Sequence, residues 1–131
     1  GYAFFSNSKR FQEYRSLRKS GIQVILTSNI SSGIRPQDHV INLYRLSSEE
    51  EGSGNSGILL LKLMVLLGVK EAALAGFDGY RKGGKNYLPG YFGGFSGTPL
   101  GDNQKIAGEI KKIREKLPVT FVTPSVYEEE M

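Results

Sequence analysis

An α/β fold built on a mostly parallel sheet is what this chain predicts, and three observations predict it. Short apolar runs at 2–5, 22–27, 40–44, 71–77 and 119–123 alternate with helical segments, giving the order β-α-β-β-α-β-α-β. A helix over 56–67 is apolar nearly all round, and such a helix belongs in the middle of a packed structure. With 131 residues, 39% of them apolar and 23% charged, the chain has the size and composition of one globular domain with a real core. The expectation is therefore a three-layer α/β sandwich with about five strands in a mostly parallel sheet. The sequence holds no internal repeat.

The elements follow in order. The run Tyr2-Ala-Phe-Phe5 is aromatic and apolar without interruption and reads as a buried strand. After the polar turn Ser6-Asn7-Ser8, Ser8 is a good N-cap for a helix through about Lys19. Phe11, Tyr14 and Leu17 or Arg18 share one face of that helix. Lys9, Arg10, Arg15, Arg18 and Lys19 lie mostly elsewhere, as a solvated face or a binding face. Ser20-Gly21 ends the helix, as a glycine C-cap does. A second strand at 22–27 leaves through Ser28-Asn29 and Ser31-Ser32-Gly33, and Pro36 punctuates the loop. A third strand spans 40–44, with His39 just before it, and Glu49-Glu50-Glu51 reads as exposed loop.

The stretch from Gly52 to Tyr80 organises the chain. Gly52-Ser-Gly54-Asn55-Ser56-Gly57 opens the apolar helix, Gly68 closes it, and a strand at 71–77 leads to Asp78. A helix N-terminus carries unpaired N–H groups and a partial positive charge, so it attracts anions such as phosphate. Gly54 and Gly57 admit close approach to the backbone, and Asn55 and Ser56 add hydrogen-bonding side chains. The alternative is that Ser53, Asn55 or Ser56 simply caps a core helix. Asp78 sits at the carboxyl end of its strand, where α/β folds gather ligand-binding groups.

Residues 79–101 differ in kind: glycines are interleaved with Tyr80, Tyr87, Tyr91, Phe92 and Phe95. Such a segment reads as a lid over a ligand, an oligomer contact or a disordered loop. Asp102 then caps a helix through about Lys116, with Ile106, Ile110, Ile113 and Leu117 along one face, and Pro118 breaks it. A last strand at 119–123 ends near Pro124-Ser125, and Glu128-Glu-Glu-Met131 reads as a frayed tail.

Composition narrows the function classes. The net charge of +4 favours an anionic ligand, but the Lys and Arg residues are scattered among 13 acids, so neither nucleic acid nor membrane is the expected partner. There is no cysteine, hence no disulfide framework and no thiolate metal site, and a reducing cytoplasm is the default. The apolar run 58–67 is broken by Lys62 and is too short to span a bilayer. His39 is the only histidine, so a multi-histidine metal site is impossible and no metal or other cofactor is evident.

Gly52-Ser-Gly54-Asn-Ser-Gly57 satisfies G-x-G-x-x-G literally, with Asp78 at about the spacing of a ribose-binding acid. The dinucleotide pattern also needs a strand running straight into the first glycine. Here an acidic loop intervenes, and three glutamates beside a pyrophosphate are unfavourable.

Asn55-Ser-Gly57, the buried helix, Leu67-Gly-Val-Lys70-Glu and Ala75-Gly-Phe-Asp78-Gly-Tyr80 resemble the core of bacterial lipooligosaccharide sialyltransferases and, equally, of hydroxymethylpterin diphosphokinase-like domains. In both, a [TN]-S-G loop opens an apolar helix and L-G-x-K-E leads to a strand ending G-x-D-x-Y. Ala3-Phe-Phe-Ser-Asn7 and Val122-Thr-Pro-Ser125 extend the likeness over roughly the whole chain. The resemblance implies a Rossmann-like fold lacking a first strand, with nucleotide phosphate or sugar near Asn7, Ser56 and Gly57, and with Asp78, Tyr80 and Ser125 near the site. The catalytic histidine those sialyltransferases carry after G-x-D-x-Y has no counterpart between Tyr80 and Asp102. Tyr2-Ala-Phe-Phe-Ser-Asn-Ser-Lys-Arg10 is also similar to the C-terminal domain of bacterial proteins catalogued as 4-hydroxy-2-oxovalerate aldolases, whose N-terminal half resembles a hydroxymethylglutaryl-CoA lyase-type barrel. That likeness, with Gly1 in place of an initiator Met, implies a fragment of a longer chain. Any lyase activity then belongs to the barrel.

The leading expectation is a Rossmann-like domain, 1–131, that binds a nucleotide or phosphorylated small molecule. The amides of Ser56 and Gly57 hold phosphate, Asn7 and Asn55 orient the ligand, Asp78 binds sugar hydroxyls, and Tyr80 and Tyr87 close over it. Two alternatives stand beside it: a non-catalytic domain that docks on the barrel or forms a homo-oligomer, and a glycosyl- or phosphoryl-transferase completed by groups outside this chain.

Overall fold

Three apolar segments at the start of the chain pair in parallel. β1 (Tyr2–Phe5), β2 (Gln23–Thr27) and β3 (His39–Ile41) form one sheet in the order β1-β2-β3, with Phe4 opposite Ile25 and Leu26 opposite Val40. The structure is a computed structural model, and it describes residues 1–47, 55–79 and 99–131. Those residues pack as two units, Gly1–Leu63 and Met64–Met131.

Side chains along a strand alternate between faces, so β2 must be apolar on both. One face carries Val24 and Leu26, which bury with Phe5, Ile30 and the Phe11 side chain of α1 (Ser8–Tyr14). The Phe5 and Phe11 rings tilt against each other with centroids 5.6 Å apart. The opposite face carries Phe4, Ile25 and Ile41. These pack with Leu59 and Leu63 of α3 (Ser56–Leu66) and with Leu43 and Leu46 of the single-turn α2 (Leu43–Leu46). Helices thus pack on both faces of the first sheet.

Local polar groups shift several element ends. Asn7, not Ser8, caps α1: its backbone is extended and its Oδ1 accepts the Arg10 N–H at 3.1 Å. The helix then tightens into a 3-10 helix, Arg15–Ser20, closed by Gly21 at φ 77°. The third strand ends at Ile41, not Tyr44. Asn42 Oδ1 accepts the Tyr44 N–H at 3.0 Å, and this cap commits Leu43 and Tyr44 to a helical turn. α3 ends as expected at Gly68. With φ 72° there, Gly68 N–H reaches Val65 O at 3.1 Å and Val69 N–H reaches Met64 O at 3.0 Å, the paired bonds of a Schellman ending.

In the second unit β4 (Ala72–Leu74) pairs in parallel with β5 (Val119–Phe121), Ala72 opposite Val119. Both strands are shorter than the apolar runs that predict them. Gly76, at φ 73°, turns the chain out of the ladder and gives its N–H to Thr123 Oγ1 at 2.9 Å. α4 (Pro99–Arg114) starts ahead of Asp102, which lies inside the helix and is not its cap. Its buried face runs through Ala107, Ile110 and Ile113 to Leu117, with Ile106 only half-buried. The expected frayed tail is instead a short helix, α5 (Val126–Glu130). Ser125 caps it, and Glu128 and Glu129 in its first turn complement the helix dipole. Among the described residues the five strands therefore fall into a three-stranded and a two-stranded parallel sheet, and no helix is long and apolar enough to cross a membrane.

One ion pair ties the 3-10 helix to the loop between β2 and β3. Arg18 Nε donates to Asp38 Oδ1 at 2.9 Å, and its Nη2 donates to Asp38 Oδ2 and, at 3.1 Å, to Gly33 O. The guanidinium lies over the Phe11 ring, 5.1 Å from its centroid. Side-chain exposure is 10% for Arg18 and 1% for Asp38, so Arg18 is not part of a solvated basic face. Asp38 Oδ2 also accepts the Arg35 N–H at 2.9 Å across the turn at 35–38. Burial pushes the Asp38 carboxyl up. The hydrogen bonds from Arg18 and Arg35 and their charges outweigh that and hold it below its ordinary value of 3.8. A carboxyl lowered by folding stabilises the protein above its unfolded pKa, and that contribution drains away as pH falls through the lower folded value. Thermal melts should therefore show wild-type stability falling below about pH 4. Asp38→Asn should lose roughly 1–3 kcal/mol at pH 7 and show a flatter profile below that pH.

Candidate functional site

In a parallel sheet every strand delivers its carboxyl end to the same edge, and α/β folds bind ligands along that edge. In the first unit the edge is lined by short polar side chains. Ser6 follows β1, Thr27 ends β2, and Asn42 follows β3. The hydroxyls of Ser6 and Ser56 hydrogen-bond to each other and bring the N-terminus of α3 to the end of β1. Asn29 Nδ2 donates to Ser6 O at 3.0 Å, and Thr27 Oγ1 donates to Asn29 Oδ1. Ser28 Oγ accepts the Leu43 N–H at 3.0 Å. Ser6 and Thr27 are buried, whereas Asn29 and Ser56 are exposed, so the cluster runs from the core to the surface.

The start of α3 takes the capping role, one of the two that its sequence suggests. Asn55 Oδ1 accepts the Ile58 N–H at 3.0 Å and its carbonyl accepts the Leu59 N–H at 3.1 Å, so Asn55 is the cap. That leaves the Ser56 and Gly57 N–H groups of the first turn without intrahelical acceptors by helix geometry. Asn7 lies at the carboxyl end of β1 with its Oδ1 held by Arg10 N–H. His39 starts β3, and its Nε2 hydrogen-bonds Gln23 Oε1 at 2.9 Å at the start of β2, away from the edge where Ser6 and Ser56 sit.

Asp78 and Ser125 belong to the second unit, in the turns that follow β4 and β5. Asp78 is exposed, and its backbone carbonyl accepts the Val126 N–H at 2.9 Å. Ser125 is buried at 4% exposure. Its hydroxyl donates to Phe77 O and accepts the Tyr127 N–H at 3.2 Å, so it holds two chain segments together and has little left for a ligand. Tyr80, Tyr87 and most of the glycine-aromatic segment lie outside the described residues, as do Glu49 to Glu51 and Gly52 to Gly54. Sequence reasoning missed Ser6, Thr27 and Asn29 as site residues. The signal was present: each sits where an apolar run stops and small polar residues begin. Among the described residues no group of acids and histidine is arranged to hold a metal ion.

No protein-family model, curated protein or solved structure matches the chain.

The glycines around Asp78 set its position. Gly76 has φ 73° with open space where a Cβ would point. Gly79 has φ 79°, and a Cβ there would lie 3.1 Å from Tyr127 Cε1 and 3.2 Å from Val126 Cβ. Gly76→Ala carries only the left-handed backbone penalty, about 1–2 kcal/mol. Gly79→Ala adds a steric clash and should lose roughly 2–4 kcal/mol in denaturant titrations, displacing α5. Equal losses at the two positions would mean that Val126 and Tyr127 yield freely.

Proposed function

We propose that this chain is a Rossmann-like domain that binds a nucleotide or another phosphorylated small molecule at the N-terminus of α3. In this reading all five strands belong to one mostly parallel sheet that lacks a first strand, as the likeness to the sialyltransferase and pterin diphosphokinase-like cores implies. The observation that carries the proposal is the Ser6–Ser56 hydrogen bond, which joins the first turn of an apolar helix to the carboxyl edge of a parallel sheet. Amides at a helix N-terminus, small neighbours and a polar strand edge are what an anionic headgroup needs.

The proposed roles follow from the chemistry of each group. Ser56 and Gly57 amides take phosphate. Asn55 keeps its Nδ2 as a donor while its Oδ1 caps the helix, and Asn7 does the same at the start of α1. Asp78 takes ribose or sugar hydroxyls, and Tyr80 and Tyr87 close over the ligand. Ser125 serves the fold of the second unit and leaves the ligand list. The reading assigns no acid–base pair. It fits a binding domain attached to a lyase-type barrel, where the barrel carries any bond-making chemistry.

A thermal-shift screen against nucleotides, nucleotide-sugars, pterins and inorganic phosphate tests this. A ligand at a hundred times its Kd stabilises the folded state by about 2.7 kcal/mol, which reads as a rise of several degrees in Tm. The rise should appear with one ligand class, persist in Ser56→Ala, and, for ligands bearing a single phosphate, vanish in Ser56→Lys, whose side chain fills the anion position. Absence of a rise with every class sinks the reading.

A further inference from the structure

A second anion site, separate from the one at α3, follows from how the buried ion pair is surrounded. A half-open groove of about 450 Å³ lies between the 3-10 helix and the loop that leads to β3. Arg15, Arg18 and Lys19 line one wall, and Gly33, Ile34 and Arg35 line the other. Among the described residues no carboxylate lines it. A 3-10 helix has three residues per turn, so Arg15 and Arg18 stack on one line, with Lys19 beside them.

Arg18 is already neutralised by Asp38, which holds it in a bidentate pair. Arg15, Lys19 and Arg35 are exposed and make no ion pair among the described residues. Arg35 shares the Asp38 charge with Arg18, while Arg15 and Lys19 have no such partner among the described residues; cations so gathered repel one another, and a multivalent anion relieves that repulsion. The walls are fixed in advance. Arg18 Nη2 donates to Gly33 O, Gln12 Nε2 donates to Ser32 O at 2.9 Å, and the turn at 35–38 is closed on Asp38. Gly33, at φ 82°, lets the Arg15 side chain pack close: a Cβ there would lie 3.3 Å from Arg15 Nη1. A pre-formed groove spends little binding energy on ordering itself.

The geometry points to this groove as a binding site for a small molecule bearing two or more linked phosphate groups. Guanidinium forks match phosphate oxygens in pairs, which a single ammonium does not. The volume lies in the range of small-molecule pockets. A nucleic acid is the less favoured occupant because the lining offers no aromatic ring on which a base stacks.

Isothermal titration of the full chain with inorganic tripolyphosphate, at physiological ionic strength, tests the proposal. Saturable binding is expected, with one component weakened about tenfold or more by Arg15→Gln with Arg35→Gln and only a few-fold by Arg15→Lys with Arg35→Lys. Lys19→Glu provides the same loss should the double variant fail to fold. Ser56→Lys should leave this binding unchanged, which separates it from the α3 site. The proposal fails if tripolyphosphate does not saturate, if the charge-removing variants bind as wild type does, if Ser56→Lys alone abolishes binding, or if a short single-stranded oligonucleotide binds more tightly than tripolyphosphate.

Discussion

Every strand pair among the described residues is parallel, and a parallel pair cannot be closed by a tight turn. The chain must leave one edge of the sheet and return to the other, which lays connecting segments across the faces. β2 is the strand on which this acts most strongly in the first unit. It has a neighbour on each side, apolar residues toward both faces, and helices packed against both. The same constraint gathers all three carboxyl ends at one edge. There the backbone leaves the ladder and needs new partners, and the side chains of Ser28, Asn29 and Asn42 supply them. The polar edge is thus first a solution to strand termination. The ligand role proposed for it would draw on what the strand ends leave over.

Capping and the proposed ligand binding draw on the same groups, so one can use up what the other needs. Asn7, Asn42 and Asn55 each spend the carboxamide oxygen on a helix N–H. Asparagine keeps a second polar atom, so capping does not exhaust it. Ser125 differs: its single hydroxyl both donates and accepts within the protein and is buried. An asparagine at a strand's carboxyl end therefore keeps a donor for a ligand, while a buried serine that both donates and accepts does not.

The strand-and-helix alternation was legible because periodicity and apolar runs report burial directly. The parallel pairing, the apolar α3 and its Gly68 ending all follow the sequence pattern. What was not legible depended on competition between nearby groups. Asn42 diverts Leu43 and Tyr44 from strand to helix, and Gly76 takes its N–H out of the ladder, although the apolar runs continue through both places. Helix α5 was misread as tail because three glutamates look like solvent-exposed charge. At the start of a helix capped by Ser125, the same charge sits favourably against the dipole. Pairing between distant segments was equally hidden. Ser6 meets Ser56, fifty positions away, and no spacing rule anticipates it.

Arg18 carries that point furthest. Composition places it in a basic run with Lys9, Arg10, Arg15 and Lys19, where a solvated face is the default reading. Three-residue periodicity after Tyr14 turns it inward onto Phe11, and Asp38, twenty residues on, meets it. One cation of the run thereby becomes internal scaffolding. Its neighbours on the 3-10 helix are left facing Arg35 across a groove that no acid lines among the described residues. A buried pair of this kind adds little net stability against an apolar alternative, because both charges must be desolvated. Its consequence here is positional: it holds two segments at a set distance while Arg15 and Lys19 stay without such a partner among the described residues. A charge pattern that looks diffuse along the chain is, in the folded unit, a neutral, part-buried pair beside a concentrated positive rim.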